Sequence, residues 1–241
     1  MEAILSQLTA ANLLAIFFLV FIEAILSFDN ALALAALVKS KLKNPHEQKK
    51  ALTYGIWGAY FFRVVVIFCG VWLMGFWQIK LAAGAYLVWL GVSELWPKQK
   101  SDGNEKEIKG IDIKWLTPLW TTIVSVEIMD IMFSIDSIGV ALAISNVKWV
   151  LVVGAMLGIL MMRVAANVFI KLIDRYPILE KTAFLLVFIA GVGITLKAFH
   201  IEIPEVPFIA TLLTILFGSM GLNHRWPSAI TQFLNRYYPS H

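Results

Sequence analysis

Seven long apolar runs decide the solvent in which this chain folds. They lie at residues 9–38, 51–76, 79–96, 117–145, 147–170, 182–199 and 206–222, with polar linkers between them. A helix crosses the ~30 Å hydrocarbon core of a bilayer with about 20 predominantly apolar residues. In that core only helices and closed barrels satisfy their own backbone. The fold class expected is therefore an all-α membrane protein of about seven transmembrane helices. Composition agrees: 59% of the 241 residues are hydrophobic and 15% charged, against about 45–50% and about 25% in soluble domains.

The lysines and arginines of the linkers set the expected orientation. Lys39, Lys41, Lys43, Lys49 and Lys50 crowd the first connection and Lys80 stands in the second. The third carries Lys98, Lys100, Lys106, Lys109 and Lys114, the fourth Lys148, the fifth Lys171, Arg175 and Lys181, the sixth Lys197, and the tail Arg225 and Arg236. This alternation predicts an N-terminus outside and a cytoplasmic C-terminus. It also accounts for the net charge of +4 without a nucleic-acid partner. The 97–116 linker reads as a charged cytoplasmic loop, and the 223–241 tail as cytoplasmic, with apolar residues spaced for a helix lying on the membrane surface. No basic leader or small-residue cleavage site opens the chain, so no removable signal peptide is expected.

A pattern in the first run returns in the fourth. Glu23-x3-Ser27-x-Asp29-Asn30 is matched by Asp130-x3-Ser134-x-Asp136-Ser137, and Gly58-x4-Arg63 by Gly158-x4-Arg163. Residues 1–222 thus read as one transmembrane domain. Repeat one covers 9–96, repeat two 117–199, and a seventh helix 206–222. The expected topology makes the repeats inverted, a plan that places binding sites near the midplane of secondary transporters.

Glu23, Asp29, Glu127, Asp130 and Asp136 fall inside apolar runs, where Arg63 and Arg163 are the matching bases. An ionised group at the bilayer centre costs at least about 2.5–3.5 kcal/mol, so acids in excess of arginines suit a cation. On continuous helices Glu23, Ser27 and Asn30 share one face, and Glu127, Asp130, Ser134 and Ser137 another. Runs one and four are also long for a bilayer, roughly 43 Å of helix at ~1.5 Å per residue, which predicts strong tilt or an interruption near SFDN and SIDS. Carboxylate, amide, hydroxyl and carbonyl oxygens suit hard cations such as Mn²⁺, Mg²⁺ or Ca²⁺. His46, His200, His224 and His241 lie outside the run interiors and Cys69 stands alone, so neither a zinc or copper site nor a nucleophile–base pair is expected. Asn167 is expected to bond between helices.

EAILSFDNALALAALV and VSVEIMDIMFSIDSIGVALAIS resemble the two signature segments of the TerC family of integral membrane proteins, in the LysE transporter superfamily. GILMMRVAANVFIKLIDRYPILEKTAFLLV is similar to the fifth-to-sixth segment of its short branch. Gly139-Val140 departs from the proline and alanine many members carry there. The resemblance implies manganese efflux, with Asp29, Asn30, Glu127, Asp130, Asp136 and Ser137 at matching positions and Glu23 in the same set.

The expectation is therefore a Mn²⁺ exporter, not an enzyme, working by alternating access with H⁺ or Na⁺ as counter-ion. It needs the lipid bilayer as partner and no prosthetic group, and homo-oligomers are compatible with it. Glu23, Asp29, Asn30, Glu127, Asp130 and Asp136 would be metal ligands, supported by Ser27, Ser134, Ser137, Arg63 and Arg163. The alternatives are a tellurite or oxyanion permease using the two arginines, and a membrane-protein assembly factor without transport. A bacterial inner membrane is the expected location, and a thylakoid membrane the alternative.

Overall fold

The computed structural model describes residues 9–74, 76–96, 117–145, 147–201 and 203–237. Every regular element among them is an α-helix: α1 Ala10–Leu26, α2 Phe28–Lys41, α3 Pro45–Met74, α4 Trp77–Leu95, α5 Pro118–Ile144, α6 Lys148–Arg175, α7 Ile178–Ala198, α8 Glu205–Arg225 and α9 Pro227–Tyr237. The charged 97–116 linker lies outside the described residues. Among the described residues, four helices, α3, α6, α7 and α8, contain segments long and apolar enough to cross a membrane, and α1 with α2 makes a fifth if the bent pair is one span. At ~1.5 Å per residue, the 19 residues of α4 and 27 of α5 reach about 28 and about 40 Å.

The first apolar run is broken. Ser27, with φ −97° and ψ 13°, ends α1 and starts α2, and the two helices bend by 51° there. Ser27 caps both helices, its N donating to Glu23 O at 2.8 Å to close α1 and its O accepting from Ala31 N at 2.9 Å to open α2. The interruption expected near SFDN is therefore present. That expected near SIDS is not, because α5 continues through it.

The halves of the broken span meet different surroundings. Leu13, Leu14, Phe17, Phe18 and Phe21 of α1 are exposed, whereas residues 31–38 of α2 are all buried. Such an apolar face is ordinary where the solvent is hydrocarbon. The Ala-rich sequence of α2 lets several helices close around it; α2 packs on α5, α6 and α7.

Helix packing has a reciprocal pattern. α1 and α2 pack on α6 while α3 packs on α5; α3 also packs on α6, and α4 on α7. The α4–α7 contact brings backbones together through glycine. A Cβ at Gly91 would stand 2.8 Å from Phe188 N, and one at Gly191 would stand 2.7 Å from Val88 N. At the α2–α6 boundary Lys39 pairs with Asp174. Asn167 donates to Arg163 O of its own helix at 2.9 Å, which corrects the expectation of an interhelical bond: a short amide four residues on reaches the preceding turn's carbonyl first. The 223–241 tail contains α9, with Phe233 and Tyr237 exposed.

Candidate functional site

Two glutamate–arginine pairs form a charged layer inside the bundle. Glu23 Oε1 on α1 accepts from Arg63 Nη2 on α3 at 2.9 Å, and Glu127 Oε1 on α5 accepts from Arg163 Nη2 on α6 at 3.0 Å. Exposures are 9% and 6% for the first pair, 8% and 2% for the second, so neither is a surface bridge. A buried pair holds its charges only if geometry and further hydrogen bonds offset desolvation. Glu23 Oε1 also accepts from Ser27 Oγ at 3.1 Å, Arg63 Nη1 donates to Ser137 Oγ at 3.1 Å, and Arg163 Nη2 donates to Gly55 O at 3.4 Å.

Glycines seat these glutamates. A Cβ at Gly158 on α6 would stand 2.5 Å from Glu23 Cγ, and a Cβ at Gly58 on α3 would stand 2.6 Å from Glu127 Oε2. The repeated Gly-x4-Arg spacing thereby acquires a geometric meaning. α3 offers a notch to Glu127 and a guanidinium to Glu23, and α6 offers a notch to Glu23 and a guanidinium to Glu127. Equal spacing was the available signal, but which acid enters which notch depends on how the helices cross.

Asp130 is 3% exposed and feels the charges of Arg163, Arg63 and Glu23, so it lies electrostatically between the pairs. Ser134 Oγ donates to Asp130 O at 2.7 Å, which ties it to its own helix. The break at Ser27 opens on a cavity of about 100 Å³. Ser27, Asp29 and Asn30 line it from the break and Ser137 from α5, with α7 and α8 closing the far wall. Asp29 Oδ1 accepts from Asn30 N at 3.0 Å. Lys197 also lines this cavity; it was not among the sequence-derived residues, because it stands at the end of an apolar run like any interfacial lysine. Asp136 lies within α5, and its side chain is outside the described residues.

The structure thus brings Glu23, Ser27, Arg63 and Ser137 together, places Glu127 with Arg163, buries Asp130 within reach of both arginines' charge, and turns Asp29 and Asn30 to the cavity. Among the described residues, no three of His, Cys, Asp and Glu assemble into a group that holds a metal ion by itself. Two of the candidate ligands, Glu23 and Glu127, are held by guanidinium groups. Their carboxylate oxygens are hard donors, which suits a cation able to displace an arginine.

Fold and site together define an integral membrane protein of several apolar helices with a buried charged layer. The chain belongs to the TerC family: the match to the integral membrane protein TerC family covers residues 8–226. It is 44% identical over 202 residues to the uncharacterized membrane protein YceF of Bacillus subtilis, covering 81% of this chain and 76% of that one. It is 34% identical to YkoY of the same organism over 74% of this chain, which spans 58% of YkoY. It is 26% identical over 82% of its length to Alx of Escherichia coli, described as a putative membrane-bound redox modulator, of which it covers 67%. No solved structure matches.

Proposed function

We propose that this chain is a divalent-cation transporter that exports Mn²⁺ across a bacterial inner membrane. One observation carries the reading: three acids, Glu23, Glu127 and Asp130, are buried inside the bundle against two arginines, and Asp29 and Asn30 open onto a cavity that Ser27 also lines. Acids in excess of bases inside a bilayer are costly unless a cation visits them. Family membership and the oxygen donor set support manganese, or another hard divalent ion such as Mg²⁺ or Ca²⁺, as cargo.

In this reading the chain crosses the membrane seven times, with its N-terminus outside. Helices α1–α4 and α5–α7 are inverted repeats, and α8 is the seventh span. The reciprocal packing of the two halves supports that arrangement. Alternating access moves the halves about the charged layer, and a proton or Na⁺ restores the acids after release. The arginines' engagement by glutamates weighs against an oxyanion site. A redox role like that in the description of Alx has little to work with, since the sequence holds one cysteine, Cys69, and no internal dithiol.

The test is Mn²⁺ efflux from loaded proteoliposomes. Asp29→Asn and Asp136→Asn are expected to abolish it while both proteins still insert and fold. Efflux equal to the unaltered protein in both variants, or none from the unaltered protein, sinks the reading.

A further inference from the structure

The larger cavity has a smaller neighbour. A space of about 20 Å³ is lined by Glu23 and Arg63 together with Leu19, Ile67 and Leu151. Ser27 and Ser137 line the larger one, and these serines are the residues that hydrogen-bond Glu23 and Arg63. The string Ser27–Glu23–Arg63–Ser137 therefore stands as a partition, with its serine ends facing one cavity and its charged middle facing the other. On the smaller side the surroundings are almost wholly apolar, a poor place for an ion without its water.

The partition is held lightly for a buried ion pair. The Arg63–Glu23 contact uses one carboxylate oxygen and one guanidinium nitrogen instead of the two parallel bonds of a bidentate pair. Among the described residues, Arg63 Nε is buried without a hydrogen-bond partner. Asp130 is a second carboxylate whose field acts on Arg63, so a guanidinium leaving Glu23 still has a counter-charge nearby.

We propose that Arg63 is an internal cation that competes with the cargo for Glu23, and that its return to Glu23 re-forms the partition between the two cavities. This rests on the cation-transport reading and names the residue that makes transport a cycle of displacement. A divalent ion and a guanidinium are not held side by side on one carboxylate oxygen in a low-dielectric site, because their repulsion is strong there. When the ion arrives from the larger cavity, Arg63 releases Glu23 and the string opens. When the ion leaves, Arg63 closes behind it. Arg163 has no such part, since neither Arg163 nor Glu127 lines either of these two cavities.

The consequence is an opposite effect on binding and on transport. Arg63→Gln removes the competitor, so equilibrium Mn²⁺ binding to the purified full chain, followed by loss of the free-ion paramagnetic resonance signal, tightens by about tenfold or more. Efflux from proteoliposomes falls by at least about tenfold, because the ion is retained and the partition cannot re-form. Arg63→Lys keeps the charge and stays near the unaltered affinity. Ser137→Ala removes the second anchor of Arg63 and tightens binding by a smaller factor; it serves if Arg63→Gln does not fold. Equal or weaker binding in a folded Arg63→Gln protein, or in Ser137→Ala where that is the variant in hand, overturns the inference: an arginine that only braces the fold, or supports the ligands, gives that result. Failure of the unaltered protein to bind or export Mn²⁺ instead removes the transport reading itself, and the two failures are told apart by that control.

Discussion

A methyl group at position 58 tests the seating of Glu127. In Gly58→Ala the new Cβ would stand 2.6 Å from Glu127 Oε2, 2.9 Å from Cδ and 3.2 Å from Cγ. The carboxylate cannot simply withdraw, because Oε1 is held by Arg163 Nη2 at 3.0 Å. By helix propensity alone, Gly→Ala is worth about 0.5–1 kcal/mol of stabilisation. Overpacking of a tight interior costs about 1–3 kcal/mol, and outright loss of one partner from a buried pair about 3–5 kcal/mol. The notch therefore dominates, and a net destabilisation of about 2 kcal/mol is expected, or about 5 °C in Tm for a chain of this size. Tryptophan-fluorescence melting in detergent measures it. Gly218→Ala is the internal control: a Cβ there meets nothing within 4 Å, so it keeps the propensity gain. Glu127→Ala removes the three atoms nearest to the methyl, and adding Gly58→Ala to it is expected to cost little further, a coupling that a double-mutant cycle reads directly. A Gly58→Ala protein that melts at or above the unaltered one, as Gly218→Ala does, would refute the reasoning.

Arg163→Gln leaves Glu127 buried without its cation and is expected to lose about 3–5 kcal/mol; the melting temperature of Arg163→Gln/Glu127→Gln should recover part of that loss. Mn²⁺ binding is expected to weaken as pH falls, because metal and protons compete for the same carboxylates, with proton release on binding as the check. Deleting residues 227–241 is expected to cost under about 1 kcal/mol, since α9 leaves most side chains exposed and exposed positions contribute little; melting of the truncated chain measures it.

Much of this protein was legible along the chain because its solvent acts locally. A run of apolar residues must become a helix wherever hydrocarbon denies its backbone other partners, so the helical class follows from length and hydropathy. An acid such as Glu127 or Asp130 within such a run is conspicuous by its cost alone. Even the Gly-x4-Arg echo was visible as spacing. The pairing was not. Glu23 meets a guanidinium 40 positions away and Glu127 one 36 positions away, while each enters a glycine notch on the other arginine's helix. Linear order does not state which side chains oppose one another where helices cross. The break also shows the limit: SFDN interrupts its helix and the matching SIDS does not, though neither contains proline. The sequence alone determined that this chain enters a bilayer as helices and carries acids into it, because burial in lipid is priced residue by residue. The tertiary structure decided how those acids are held, because an ion pair, a notch and a cavity each need two or more helices to exist.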